Sequence, residues 1–180
     1  MRKTVASYLR VVLWIAVPIS LFEIWLCPFT IGRFGGFCFV RLNVPMLKSL
    51  VGDCMVTPYH LTLFLVIVPV FCGIGTWIVG KDLIHGGIAK FAFFGACQLG
   101  VMVGEDASWF ILNTVFRLRL PDALPRLLHG DIPWFPHWID FGAFKLPDFY
   151  LYLPFAIIIL LAIETIASRK ATLVRPPTHS

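Results

Sequence analysis

Residues 61–80 read LTLFLVIVPVFCGIGTWIVG, twenty consecutive residues without a charged side chain. A transmembrane helix needs about 20 mostly apolar residues to cross a hydrocarbon core about 30 Å thick. The chain as a whole has a similar character: 58% of its 180 residues are hydrophobic and 14% are charged. Soluble domains carry about 25% charged residues. The sequence therefore predicts an integral membrane protein and excludes a soluble globular domain.

Three further apolar stretches, at about residues 9–30, 88–113 and 149–167, predict three more spans. The first follows a basic N-terminus, as a signal peptide would, but it is too long for one and no small-residue cleavage motif follows it. We expect an uncleaved helix there, with Pro18 as a candidate kink. The prediction is one all-helical membrane domain over residues 1–180, with a polar cytoplasmic tail at 168–180.

Two longer connections separate these spans. Residues 31–60 mix charges with Phe, Leu and Val, which favours interfacial or re-entrant structure over a plain loop, with a short interfacial helix at about 44–51. Residues 114–148 are the most polar part and contain the aromatic stretch Trp134–Trp138, a composition typical of the membrane interface. We expect amphipathic or interfacial segments in both connections.

The basic residues predict how the chain is oriented. Eight of the fifteen lie in the N-terminal decade, the short 81–90 turn and the C-terminal tail, while the other seven are diluted over the two longer connections. The positive-inside rule therefore places both termini in the cytoplasm. Because the basic residues are scattered at span ends and form no dense run, they are orientation and headgroup signals, and nucleic acid is not an expected partner.

The third span carries the best candidate site, Gly104–Asn113, read as GEDASWFILN. On a helix, Glu105, Trp109 and Asn113 share one face, and Asp106 lies on the adjoining stripe. Acids at membrane depth are costly, so they are treated as functional candidates and must face protein or water. Glu105 and Asp106 are the predicted catalytic pair, and Trp109 and Asn113 are predicted to position whatever is bound there.

The predicted topology brings most other acids and histidines to the outer side, including Glu23, Asp53, His60, His129, Asp131, His137 and Asp140. It leaves His85 and Glu164 on the inner side, where Glu164 is expected to be solvated near its helix end. Two neighbouring carboxylates cannot both be charged in a dry site without compensation. That compensation could be a shared proton, a divalent metal, or one of Arg33, Arg41, Arg117 and Arg119.

A metal site would take Glu105 and Asp106 from the span and His137 and Asp140 from the connection. Because no local ligand spacing such as H-x-x-x-H is present, such a site would be assembled across loops. The cofactor is otherwise unknown. Five cysteines form no C-x-x-C pair; Cys72 and Cys97 are expected to be small buried hydrophobes, and Cys27, Cys38 and Cys54 leave room for one disulfide on the outer side.

The segment Glu105-Asp106-x-x-Trp109-Phe110-x-Leu112-Asn113, followed by Trp134, Trp138 and Pro147-Asp148-x-Tyr150, resembles a group of small prokaryotic integral membrane proteins of unassigned function. The resemblance covers about residues 104–150. The chain departs from that pattern at Thr114, where the group has proline, and at Phe135, where it has histidine. The resemblance implies that Glu105, Asp106, Trp109 and Asn113 matter, and it implies no activity.

Three functional hypotheses follow. The first is an outer-face acidic and histidine site that binds a divalent metal, a proton or a lipid headgroup, in an enzyme or a recognition protein. The second is a small structural subunit or scaffold of a larger membrane complex or homo-oligomer, with the acids paired to arginines. The third is an ion or proton pathway through an oligomer, which ranks last because the second and fourth spans have no polar stripe.

Overall fold

The computed structural model describes residues 2–34, 62–81, 83–118, 120–132 and 137–174; within these ranges, side chains are described except those of Arg2, residues 25–34 and Val174. The elements in chain order are α1 (Arg2–Phe34), α2 (Leu63–Gly80), α3 (Gly87–Val115), α4 (Ala123–His129), β1 (Trp138–Asp140), β2 (Lys145–Pro147) and α5 (Phe149–Val174).

Four of these helices are long and apolar enough to cross a membrane, over Lys3–Ile24, Leu63–Gly80, Gly87–Val115 and Phe149–Leu173. The prediction of four helices long and apolar enough to span a membrane is therefore confirmed. The helices α1 and α5 extend beyond the predicted span ends, and α5 continues to Val174, so the first part of the predicted polar tail is helical. Hydropathy marks the part of a helix that suits lipid, whereas the backbone hydrogen bonds continue into the polar flanks.

The first turn of α2 is a π-helix, from Leu63 to Ile67, in which the Val68 N–H donates to the Leu63 carbonyl. The irregularity is next to Pro69, which sits at the start of the following α-helical part. Because proline has no N–H, the carbonyl one turn before it loses its ordinary donor. A wider turn at this point is a common accommodation, and π-turns of this kind interrupt helices locally.

The helix α3 lies at the centre and packs against α1, α2 and α5. Its contact with α1 is parallel, because Val12 and then Ala16 of α1 meet Gly100 and Gly104 in the same order. Its contact with α5 is antiparallel, because Gly95 meets Leu160 while Gly86 meets Ala171. The C-terminal parts of α1 and α3 and the start of α5 therefore share one end of the bundle, which we call the acidic end.

The α1–α3 contact is close because α3 presents glycine at its centre. A Cβ added to Gly100 would overlap the Tyr8 hydroxyl and lie 2.8 Å from Val12 Cγ2, and one added to Gly104 would lie 3.2 Å from Ala16 Cβ. Small residues four apart are the usual means of close helix approach in lipid, where packing replaces the hydrophobic effect as the driving force. These short distances show that Gly100 and Gly104 allow the close packing of α3 against α1.

The core lies between α1, α2, α3 and α5, and its fully buried members include Ala16, Val68, Cys72, Phe93 and Cys97. Large apolar side chains also cover the outward faces of the spans, such as Trp14, Trp77 and Phe155. Such exposure would be unfavourable in water and suits hydrocarbon. The bundle is therefore apolar on both its inner and outer surfaces, as membrane-embedded helices are.

The connection between α3 and α5 forms a cap over the acidic end. In it, α4 begins after Asp122, whose carboxylate accepts a hydrogen bond from Arg126 Nε at 2.7 Å, and this bond lowers the pKa of the Asp122 carboxyl. A second apolar cluster under the cap joins Phe110 of α3 to Ala123, Leu127 and Ile132. The connection is therefore packed onto α3 by its own small core.

The strands β1 and β2 form a short antiparallel hairpin, which is the exception to the all-helical prediction. Its turn is held by Asp140, whose Oδ1 accepts from the Gly142 N–H at 2.7 Å and whose Oδ2 lies 3.6 Å from Lys145 Nζ. Gly142 has φ of 80°, a left-handed conformation that glycine adopts without cost. Strands of three residues are too short to leave a periodic signal in the sequence.

Several predictions fall on residues outside the described ranges. They concern the interfacial helix at 44–51, the disulfide among Cys27, Cys38 and Cys54, and the aromatic residues Trp134 to Pro136. The candidate cations Arg41 and Arg119 and the side chain of Arg33 are also outside them. These remain predictions.

We expect Gly100→Val to lower the free energy of unfolding by about 1–3 kcal/mol, since overpacking of a tight contact has this cost. Gly73→Val in α2 is the matched control, because a Cβ there meets nothing within 4 Å. The measurement is denaturant or thermal unfolding of the purified protein in one detergent. Equal loss of stability in the two variants would contradict the close α1–α3 contact.

Candidate functional site

The helix α3 places the predicted site residues at the acidic end of the bundle. Glu105 is 3% exposed and Asn113 is fully buried, while Asp106 and Trp109 are half-buried. Glu105 and Asn113, two helical turns apart, thus lie on the protein-facing side, as their spacing predicts. The expectation that the polar strip faces protein is confirmed for these two residues.

Ser20 of α1 fixes the position of the acidic turn of α3. Its hydroxyl is fully buried and lies 2.8 Å from the Glu105 carbonyl oxygen and 2.8 Å from the Ala16 carbonyl oxygen of its own helix. Serine and threonine hydroxyls commonly bond the carbonyl one turn back, and here the same hydroxyl also reaches a neighbouring helix. The acidic turn of α3 is therefore tied to α1 by a buried hydrogen bond.

A third acid, Glu23 of α1, lies near this turn. Glu23, one turn after Ser20, is half-buried and lies within electrostatic range of Asp106. Among the described residues, no lysine or arginine forms an ion pair with Asp106; the two described ion pairs, Arg126–Asp122 and Lys145–Asp140, both lie in the cap. The contact between α1 and α3 thus gathers like charges near Asp106.

The first turn of α5 adds Tyr150 to this group. Its hydroxyl lies within electrostatic range of both Asp106 and Glu105. The hydroxyl oxygen is buried and has no hydrogen bond to another described residue. Because a phenol can donate one hydrogen bond and accept others, Tyr150 brings an unused polar atom to the edge of the acid cluster.

Asn113 has a structural role that the sequence reading did not anticipate. Its Nδ2 donates to the Trp109 carbonyl at 2.9 Å, and its Oδ1 accepts from the Leu120 N–H at 3.2 Å. Its own carbonyl accepts from the Leu118 N–H at 3.0 Å. Because the last carbonyls of a helix lack partners, these bonds terminate α3 and fold the chain back over it. They leave Asn113 engaged with the backbone.

Thr114 continues this arrangement, because its hydroxyl accepts from the Leu124 N–H at 2.9 Å at the start of α4. A threonine at this position serves as a capping acceptor, which satisfies one of the free N–H groups of a helix start.

Trp109 packs where α3 meets the cap. Its ring makes an edge-to-face contact with Phe110, with centroids 5.1 Å apart and planes at 82°, and it packs against the second apolar cluster. Such aromatic pairs contribute about 0.5–1.5 kcal/mol beyond area burial. The position of Trp109 suits packing of the cap, and its predicted role in positioning a bound group stays a prediction.

The structure does not assemble the predicted metal ligands into a described metal centre. Within residues 2–34, 62–81, 83–118, 120–132 and 137–174, no group of three or more His, Cys, Asp or Glu side chains is placed to hold a metal ion. Asp140 is engaged in the hairpin turn, and His137 is exposed next to it. The four-ligand metal prediction therefore gains no support from the described part of the chain.

At the opposite end of the bundle, Glu164 is 1% exposed, so the expectation that it is solvated is wrong. The Thr165 hydroxyl lies 3.2 Å from Glu164 Oε2. In the next turn of α5, the Ser168 hydroxyl accepts from the His85 N–H at 2.8 Å, which ties the short α2–α3 turn to α5. The short α2–α3 turn is therefore hydrogen-bonded to α5 one turn beyond Glu164.

Ser20 and Tyr150 are the two members of the site region that sequence reasoning missed as site residues. Ser20 lies one turn before Glu23 on α1, so a polar pair at i and i+3 was a usable signal. Tyr150 lies at the edge of a span, where tyrosine is common as an interface anchor, so its neighbours could be known only from the fold. Cys72 and Cys97 are buried free thiols, as expected of small hydrophobes.

The described arrangement defines a class, a helical membrane protein with four candidate spans and a carboxylate cluster at one end. Comparison of the chain with protein-family models, with curated proteins and with solved structures gives no match in any of the three. Chemically, the cluster can hold a proton or a cation, because its carboxylates accept hydrogen bonds and carry like charges in an apolar setting.

We expect Asn113→Ala to lower the free energy of unfolding by about 1–3 kcal/mol, because it removes the acceptor of the Leu120 N–H and the side-chain donor to the Trp109 carbonyl at the end of α3. Asn113→Asp keeps an acceptor for the Leu120 N–H and should lose less. Chemical or thermal unfolding in detergent measures both. If both variants unfold like the wild type, Asn113 does not terminate α3 as described.

Proposed function

We propose that the protein is a cation-binding membrane protein, whose site is the carboxylate cluster at the acidic end of the bundle. The supporting observation is Asp106, a half-buried acid that lies within electrostatic range of Glu23 of α1 and forms no ion pair with a described residue. Asp106 and Glu23 are the proposed ligands. Glu105 contributes its negative charge from beside them, and the Tyr150 hydroxyl is an additional polar partner.

The physical basis is the cost of like charges away from water. Neighbouring carboxylates in a low-dielectric setting are relieved when a proton or another cation enters between them. Acids at membrane depth are rare because they are costly, and they mark binding sites and ion sites more often than soluble acids do. The cluster fits this description because Asp106 of α3 and Glu23 of α1 lie within electrostatic range of each other on two different helices.

The orientation predicted by the basic residues puts this end on the outer side of the membrane, with both termini in the cytoplasm. A cation would then arrive from outside or from the outer leaflet. Glu105 and Asp106 would also be the acid and base of any reaction at this place. We propose binding because a cation relieves the repulsion between neighbouring carboxylates.

A structural subunit of a larger complex is the second candidate. The helix α5 supports it, because only 6% of the residues in its most apolar stretch are buried. It packs chiefly against α3 and also contacts the hairpin strand β2. Its outward face carries large side chains such as Leu151, Phe155 and Ile159, which suit either lipid or a partner helix. In that case, the acids would pair with arginines and serve to hold the bundle together.

An ion or proton pathway ranks third. The two buried acids Glu105 and Glu164 lie toward opposite ends of the bundle, but the described core between them is filled by apolar residues such as Val12, Phe93 and Ile157. Proton transfer needs polar groups or water in sequence, and a close-packed apolar core supplies neither. A pathway between subunits of an oligomer is the remaining form of this hypothesis.

Asp106→Asn separates the first two candidates. In a binding site, removal of one like charge should leave the melting temperature of the unliganded protein unchanged or raise it by a few degrees. In an arginine-paired clamp, it should lower the melting temperature. The measurement is thermal unfolding of the full chain in detergent, with sodium, magnesium or methylammonium added at constant ionic strength. A bound cation stabilises the wild type by about 2.7 kcal/mol at 100 times its Kd.

Asp131→Asn is the matched control, because it removes the same charge from an exposed residue between α4 and the hairpin. We expect cation-dependent stabilisation in the wild type and in Asp131→Asn and its loss in Asp106→Asn. Loss of stability in Asp106→Asn without any cation effect in the wild type would support the clamp and reject the binding site.

A further inference from the structure

An apolar groove adjoins the carboxylate cluster on the side of the cap. It has a volume of about 240 Å³ and is lined by Ala107, Phe110, Ile111, Leu124, Leu127, Leu146 and Tyr150. Its walls come from α3, α4, β2 and α5, so it exists only because the cap folds over the end of α3. Its lining is almost entirely apolar.

Two residues connect the groove to the acids. Tyr150 lines the groove, and its hydroxyl lies within electrostatic range of Asp106 and Glu105. Phe110 lines it from one turn beyond Asp106, so the two lie on the same face of α3. The groove and the cluster are therefore neighbouring parts of one site, apolar on one side and negatively charged on the other.

From this pairing we propose that the natural ligand is a lipophilic organic ammonium ion. Its ammonium group would bind at Asp106 and Glu23, and its apolar group would occupy the groove beside Tyr150. The inference rests on the proposed cation site and names the class of cation that the site takes. Charge complementarity identifies the occupant, because a neutral or anionic amphiphile would gain nothing from the carboxylates.

The size of the groove limits the apolar group. An apolar cavity of about 150 Å³ lined by aliphatic and aromatic side chains binds benzene. A groove of about 240 Å³ therefore accommodates one aromatic ring or a short branched alkyl group, and it is smaller than the cavities of about 300–1,000 Å³ that enclose drug-sized ligands. The expected ligand is a small arylalkyl or alkyl amine.

The aromatic lining suits such a ligand for a second reason. Phe110 and Tyr150 line the groove, and an ammonium ion is attracted to the face of an aromatic ring within about 6 Å. A primary ammonium group has three N–H donors, which carboxylate oxygens and the Tyr150 hydroxyl oxygen can accept. The Tyr150 hydroxyl, which has no described hydrogen bond, would gain one on binding.

The test compares phenethylammonium with methylammonium by calorimetric titration of the full chain in detergent. Burial of a group the size of a phenylalanine side chain predicts that phenethylammonium binds about 10- to 100-fold more tightly than methylammonium. Ala107→Phe, which fills the groove from α3, should remove most of this preference. Asp106→Asn should weaken both ions about tenfold or more.

Ala162→Phe is the matched control, since it makes the same substitution on the exposed face of α5 and should keep the preference. Leu124→Phe fills the groove from α4 and serves as a second route should Ala107→Phe fail to fold, which the melting temperature reports. Comparison of each variant with wild type in the same detergent removes the contribution of partition into micelles.

The possible failures are distinguishable. Wild-type protein that binds methylammonium without preferring phenethylammonium would keep the cation site and overturn the groove as its apolar part. Wild-type protein that binds no cation would overturn the proposed function itself. Phenethylammonium binding that survives Asp106→Asn unchanged would show apolar partition only and would overturn the inference.

Discussion

The close contact between α1 and α3 is the constraint on which the described structure depends. Because Gly100 and Gly104 have no side chains, Val12 and Ala16 can approach the α3 backbone closely. One turn further along, this proximity places the Ser20 hydroxyl 2.8 Å from the Glu105 carbonyl and brings Glu23 toward Asp106. A larger residue at either glycine would separate the helices and with them the carboxylates.

The cap brings further residues to the acidic turn that the α1–α3 contact positions. Asn113 and Thr114 turn the chain away from the end of α3 and start α4, and the second apolar cluster then holds α4 and the hairpin against Phe110. The hairpin leads directly into α5, whose first turn carries Tyr150 to the acids. Asn113 and Thr114, whose side chains hydrogen-bond to the backbone, thus fix the path of the chain at this end. The carboxylates give the same end its negative charge.

The parts of the structure that depend on local sequence could be predicted well. Four spans follow from runs of apolar residues, and the burial of Glu105 and Asn113 follows from helical spacing. The parts that depend on distant partners could not be predicted. Nothing near Glu164 in the sequence shows that it is buried, and three-residue strands leave no pattern.

The same limit applies to the candidate site. Adjacency of Glu105 and Asp106 identified the turn, but which residues meet it is a property of the helix order, so Ser20 and Tyr150 were not found. His137 and Asp140 in the cap were predicted metal ligands because imidazole and carboxylate side chains commonly bind metal ions. In the structure, Asp140 is engaged by Gly142 and Lys145 of its own hairpin.

The Ser20 hydrogen bond also has a consequence for how the protein is made. Its partners are 85 residues apart, so this bond between α1 and α3 can form only after α3 has been synthesised and inserted. The cap bonds of Asn113 and Thr114 span only 7 and 10 residues and close at low entropic cost as soon as that stretch emerges. Tyr150 follows the cap in the chain, so the carboxylate cluster gains this neighbour only when α5 begins to enter the membrane. The site is therefore among the last features to be completed during biosynthesis.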